Sequence, residues 1–230
     1  MAQPHQIIRW QRYSDSERLE QAAVDLIKDA AQTALTQRGA FHMVLAGGRT
    51  PKRVYAALKS LDTDWSGWHI YYGDERCLPV DHDERNSRMA EEAWLNHVTI
   101  PATQVHPIAA ERGAEAAASA YAHTLAPVGE FDLVLLGLGE DGHTASLFPG
   151  QAWGENNNAP DALAVHNAPK PPPDRISVSA QRLSRARQVF FLVCGPSKTA
   201  ALKAWREGKR LPAAAITPVA GVDVLLDFEI

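Results

Sequence analysis

The 230-residue sequence has only two cysteines, Cys77 and Cys194, which lie far apart and fit no metal-ligand spacing. So few cysteines in a chain of this length argue against a disulfide framework, and reduced thiols are expected. No apolar run is long enough to span a bilayer, and the stretch 1–10 has no apolar segment ahead of Arg9. Neither a membrane span nor a secretory signal is expected. Basic charge is not in excess, since 23 Lys and Arg stand against 27 Asp and Glu. Nucleic-acid binders gather cations on one face, and no basic block of that kind occurs. Also missing are H-E-x-x-H, paired C-x-x-C, the G-x-S-x-G elbow and G-x-x-x-x-G-K-[ST]. Covalent serine hydrolysis, zinc-finger structure and nucleotide hydrolysis therefore lose support. The expectation is a cytoplasmic protein with no metal site, no cofactor, no nucleic acid or membrane partner and no obligate protein partner.

What is present reads as a globular α/β pattern. Hydrophobic residues make up 45% of the chain, enough for a core, and the length suits one domain over residues 1–230. Ser14 followed by Glu17 forms a capping box, and Leu19, Ala23, Leu26, Ala30 and Ala34 recur at helical spacing up to a stop at Gly39. Segments 41–46, 68–72, 105–108, 131–136, 188–194 and 222–228 read as strands. Helices are expected over 86–95, 114–125 and 198–206, and through Val54, Tyr55, Leu58 and Leu61. Continuous apolar strands alternating with helices predict an open, mostly parallel sheet covered on both faces, Rossmann-like and doubly wound. The aperiodic stretch 150–173, rich in Pro, Asn and Gly, reads as a long functional loop with a possible strand at 162–165.

Chemistry concentrates at strand ends. After the 41–46 strand comes Gly47-Gly48-Arg49-Thr50-Pro51. Two glycines permit close backbone approach, Thr50 suits an N-cap, and Pro51 suits the first helical position. Free amides at a helix N-terminus attract anions. Simple helix capping is the competing reading, and Arg49 with the double glycine favours phosphate. After the 68–72 strand, Gly73-Asp74-Glu75-Arg76 supplies either ligand contacts or a solvated charged loop. Gly137, Gly139 and Gly142 match G-x-G-x-x-G, but Glu140 and Asp141 put negative charge where a pyrophosphate would sit. Pro149 and Gly150 also interrupt the helix that should follow, so dinucleotide binding is rejected. What remains is a glycine-bent acidic turn presenting His143 beside Asp141, a carboxylate able to orient the ring. Lys198, after Gly195-Pro196-Ser197, sits where a cation opposes the helix dipole. With Arg49 and Arg175 it completes a candidate phosphate clamp.

These motifs together resemble the 6-phosphogluconolactonase family. The residues concerned are Ala46 to Pro51, Gly73-Asp74-Glu75-Arg76, Asn86-Ser87-Arg88-Met89-Ala90, the run L-G-L-G-E-D-G-H-T-A-S-L-F-P ending at Pro149, Arg175-Ile176-Ser177 and Gly195-Pro196-Ser197-Lys198. The resemblance implies hydrolysis of 6-phospho-D-glucono-1,5-lactone to 6-phosphogluconate in the pentose phosphate pathway, without a cofactor. It implies His143 as general base, with Asp74, Arg76 and Asp141 as active-site partners. Gly47, Gly48, Arg49, Thr50, Arg175 and Lys198 become the phosphate grip. The wider superfamily holds glucosamine-6-phosphate deaminases and isomerases, and Gly73 stands where their L-D-E element has leucine, which favours the lactonase. A non-enzymatic sugar-phosphate sensor is the other alternative, but about forty residues ahead of the first glycine turn leave little room for a DNA-binding module.

Overall fold

The computed structural model describes residues 6–229, so the first half of the 1–10 stretch considered for a signal lies outside the described residues. In chain order the strands are β1 (Ile8–Arg12), β2 (Phe41–Leu45), β3 (Trp68–Tyr72), β4 (Asp74–Arg76), β5 (Val105–His106), β6 (Phe131–Gly137), β7 (Ala162–Val165), β8 (Arg175–Val178), β9 (Ala186–Val193) and β10 (Val222–Leu226). The helices are α1 (Ser16–Arg38), α2 (Arg49–Leu58), α3 (Asn86–Ala93), α4 (Ala114–Leu125), α5 (Ala180–Ser184) and α6 (Thr199–Arg206). Seven strands form one sheet in the order β1-β10-β9-β6-β2-β3-β5, and every pairing within it is parallel. A smaller antiparallel sheet runs β4-β8-β7.

The strand order dictates where the helices go. Steps β1 to β2, β2 to β3 and β3 to β5 move one way across the sheet, while β5 to β6, β6 to β9 and β9 to β10 move back. Crossovers between parallel strands are right-handed, so α1, α2 and α3 cover one face and α4, α5 and α6 the other. Contacts of α1 with α2 and of α2 with α3 fit the first layer, and those of α4 with β7 and β8 fit the second. Leu133, Val134, Leu135, Val189, Phe191, Val224 and Leu225 are buried at the centre. Ile176 and Val178 of the small sheet join the same apolar cluster. Among the described residues, no helix is long and apolar enough to cross a membrane.

Local departures from the sequence reading have physical causes. Helix α1 is capped by Asp15, whose carboxylate accepts from the Arg18 amide at 2.8 Å, rather than by Ser14, and its buried face uses Ile27 instead of Leu26. Helix α2 begins two residues earlier than a Thr50 cap requires. Gly48, at φ 109°, is its N-cap, and its carbonyl accepts from the Lys52 amide at 3.1 Å. Thr50 therefore lies in the first turn and Pro51 third, a position that still lacks no intrahelical donor. Leu61 lies beyond the end of α2, and Lys198 is the N-cap of α6 rather than part of it. Asp74-Glu75-Arg76 is not a solvated loop but strand β4, with Asp74 and Glu75 buried.

Glu75 is fully buried and accepts backbone amides of Asn86 (2.8 Å), Ser87 (2.8 Å) and Arg76 (2.9 Å). It thus caps α3 from another segment, where Arg85 at the cap position offers no side-chain bond. The Arg85 guanidinium, itself buried, lies 3.2 Å from Glu75 and also bonds Glu111, Leu78 and Ile108. Removing one partner of a buried, hydrogen-bonded ion pair typically costs about 3–5 kcal/mol. Glu75→Gln is therefore expected to lower urea-measured stability by about 3 kcal/mol or more. A loss below about 1 kcal/mol would show that this carboxylate does not hold β4 to α3.

Candidate active site

The chain reverses its direction of travel between β2 and β6, adjacent strands in the sheet. At such a switch point the loops leaving the two carboxyl ends diverge and open a crevice. One is present there, of about 340 Å³, within the size range of small-molecule sites. It is lined by Gly47 and Gly48 after β2, by Gly73, Asp74 and Arg76 after β3, by Gly137 at the end of β6, and by Gly139, His143 and Ala145 after it. Asn86, Lys170, Pro171, Arg175 and Lys198 complete it.

Each wall is fixed by packing. The Tyr55 hydroxyl, buried on α2, donates to the Ala46 carbonyl and accepts from its amide, both at 2.9 Å, which pins the end of β2 where the double glycine starts. A Cβ on Gly47 would lie 2.1 Å from Asn86 Oδ1, so the glycine allows the Asn86 amide to close on the turn. Asn86 Nδ2 in turn donates to Asp74 Oδ1 and to the Asp74 carbonyl, each at 3.0 Å. The other Asp74 oxygen accepts from Ser146 Oγ at 2.6 Å. Arg175, buried, donates to Ser146 Oγ at 3.4 Å and to the carbonyls of Lys170 (3.0 Å), Pro171 (3.0 Å) and Pro172 (3.1 Å). Asp74 is thus the junction of three segments, and both of its oxygens are occupied.

His143 lies on the turn after β6. Its Nδ1 is 2.5 Å from Asp141 Oδ1, and its ring rests on Phe148 at 4.8 Å between centroids. A carboxylate accepts, so Nδ1 carries the hydrogen and Nε2 keeps its lone pair. Among the described residues Nε2 makes no hydrogen bond. Burial depresses the His143 pKa below the ordinary 6.5, and this outweighs the upward pull of the Asp141 hydrogen bond and charge; Lys170 depresses it further. Burial raises the Asp141 pKa, but the His143 hydrogen bond and charge bring it below the usual carboxylate value. The turn needs its glycine: a Cβ on Gly139 would sit 2.0 Å from His143 Nδ1 and 2.6 Å from Asp141 Oδ1.

The crevice gathers Gly47, Gly48, Asp74, Arg76, His143, Arg175 and Lys198 of the residues singled out in the sequence, and Asp141 stands directly behind His143. Arg49 and Thr50 do not line it. Arg49 is exposed at the start of α2, and Thr50 is half-buried beside it. Arg76 bonds the Glu84 carbonyl, and its Nε is buried without a hydrogen-bond partner among the described residues. Lys198 Nζ stands 4.0 Å from Glu140. Sequence reasoning gave no role to Lys170, Ser146 or Asn86. The only signal for Lys170 was a lysine directly before the Pro171 to Pro173 run.

An open parallel sheet with four cations around a switch-point crevice defines the class, an α/β protein with a cation-lined crevice of small-molecule size. Comparison with known proteins makes the class particular. The model of glucosamine-6-phosphate isomerases/6-phosphogluconolactonase matches residues 14–225, and the chain belongs to that family. It is 40% identical over 207 residues to a 6-phosphogluconolactonase of Mycobacterium tuberculosis, covering 84% of this chain and 83% of the relative. A 6-phosphogluconolactonase of Synechocystis is 40% identical over 181 residues, 74% of this chain and 72% of the relative. The crystal structure of a 6-phosphogluconolactonase from Thermotoga maritima superposes with a TM-score of 0.88 at 26% identity, over 96% of this chain and 99% of that one. A 6-phosphogluconolactonase from Trypanosoma brucei gives 0.85 at 27% identity, over 96% of each chain. A monomeric glucosamine-6-phosphate deaminase, 20% identical with a TM-score of 0.81, shares the fold.

The geometry sets the direction of one titration. Asp141 pulls the His143 pKa up against burial, so Asp141→Asn should move it further below its already depressed value. Side-chain NMR titration of His143 in both proteins measures this. An unchanged or raised pKa in the variant would mean that the carboxylate does not govern the ring.

Proposed function

We propose that the chain hydrolyses 6-phospho-D-glucono-1,5-lactone to 6-phospho-D-gluconate, with His143 as the general base. The observation that carries this is an imidazole whose Nδ1 is held by Asp141 while Nε2 stays unbonded, in a crevice lined by four cations. A neutral histidine with a depressed pKa takes a proton at neutral pH and can return it. In the proposed sequence a water loses a proton to Nε2 as its oxygen adds to C1. The C1 carbonyl pair moves onto the exocyclic oxygen. Collapse of that adduct breaks the bond from C1 to the ring oxygen, which takes the proton back from the imidazolium. Asp141 keeps the ring in the correct tautomer and offsets its transient charge.

The phosphate end falls to the first amides of α2 beyond Gly48 and to Lys198. Helix geometry leaves those amides without intrahelical partners, and no side chain caps them. Arg49 and Thr50 then act through their backbone amides rather than as side-chain ligands. Arg175 and Asp74 shape the wall, and the unpaired Nε of Arg76 is a donor for a sugar oxygen. We also take residues 1–230 to act as one domain in the cytosol without a metal or organic cofactor, since every step above uses groups of the chain and water. Glucosamine 6-phosphate, assayed beside the lactone, tests the deaminase alternative.

His143→Asn is expected to lower kcat by about 10²–10⁴-fold with little change in product affinity. Because the base works neutral, wild-type kcat/KM should rise with pH through an inflection below 6.5 and then level off. A coupled assay of 6-phosphogluconate release, corrected for spontaneous hydrolysis, reads both. Near-normal turnover in the variant would remove His143 from the reaction.

A further inference from the structure

Four cations line the crevice, and three of them are engaged. Arg175 spends its donors on Ser146 and on the carbonyls of Lys170, Pro171 and Pro172. Arg76 bonds the Glu84 carbonyl, and Lys198 faces Glu140 at 4.0 Å. Among the described residues, the Lys170 ammonium alone of the four makes no hydrogen bond or ion pair.

Its backbone is nevertheless held firmly. Arg175 grips the carbonyls on either side of the Lys170–Pro171 bond, and Ser146 links Arg175 to Asp74. Ser146 lies three residues after His143, on the same turn. One hydrogen-bonded chain therefore fixes both the stem of Lys170 and the loop that carries the base.

We infer that Lys170 is a catalytic residue whose ammonium stabilises the oxyanion formed on the exocyclic oxygen when water adds to C1. This rests on the lactonase reading above. In the adduct a full negative charge appears on an oxygen bonded to the carbon that His143 serves. An ammonium with no protein partner to give up is free to meet that charge. Position separates Lys170 from Lys198. Lys198 stands after β9, beside Glu140. Lys170 and His143 line the same crevice, and the Lys170 charge disfavours protonation of the ring. In this reading Lys170 serves the reacting carbon and Lys198 the phosphate.

The test compares Lys170→Met, Lys170→Arg and Lys198→Met with wild type. It measures kcat and KM for the phosphorylated lactone and for unphosphorylated gluconolactone, and 6-phosphogluconate affinity by calorimetry. Lys170→Met should lose about 10²–10³-fold in kcat on both lactones, the scale for one oxyanion donor, with product affinity within a few-fold. Its acid limb in kcat/KM should move to higher pH, because a positive neighbour of His143 is gone. Lys170→Arg should retain more activity than Lys170→Met. Lys198→Met should instead weaken product binding and spare the unphosphorylated lactone. Lys170 is exposed, so the variants should melt as wild type does. Unchanged kcat in Lys170→Met, or a loss confined to the phosphorylated lactone, overturns the inference. Wild-type protein that does not accelerate hydrolysis overturns the lactonase reading itself.

Discussion

A carboxylate taken out of water must find donors for both oxygens, and at the mouth of this sheet Asp74 and Glu75 do so side by side. Alternation along β4 sends Glu75 toward α3, where it caps the helix from outside and meets Arg85. It sends Asp74 toward the crevice, where it joins Asn86 of α3 to Ser146 of the loop after β6. Through Ser146 the same carboxylate reaches Arg175 and the 170–173 segment. Segments distant in sequence meet at two adjacent acidic residues, and the crevice takes its shape from them.

The turn that carries His143 follows the same logic on a smaller scale. Gly139 leaves room for the His143 ring to sit over its backbone, and Asp141 closes on Nδ1 from two residues away. Burial against Phe148 lowers the proton affinity of the ring, and the carboxylate restores part of it. The balance leaves an imidazole of lowered proton affinity, held at Nδ1 and unbonded at Nε2 among the described residues. A glycine, a carboxylate and an aromatic face are enough to set that state.

Much of this was legible in the sequence, for definite reasons. The strands β2, β3, β6, β9 and β10 are buried on both faces and read as continuous apolar runs, and the double glycine and the D-G-H turn end two of them. Strand β1 was missed because Ile-Arg-Trp-Gln-Arg is a half-buried edge strand with little apolar content. Strand β4 was missed because its charges look solvated until Asn86, Ser146 and Arg85 are brought to them. Thr50 has the chemistry of an N-cap, yet Gly48 at positive φ starts the helix first. Lys170 escaped because only the fold brings the aperiodic 150–173 stretch up against His143.

The most direct test of the account is a crystal structure with 6-phosphogluconate bound. The phosphate should lie on the first amides of α2 and Lys198 Nζ. The C1 carboxylate should lie about 3 Å from His143 Nε2, within reach of Lys170. A ligand bound in the opposite sense, with its phosphate on His143 and C1 at the glycine turn, would contradict it.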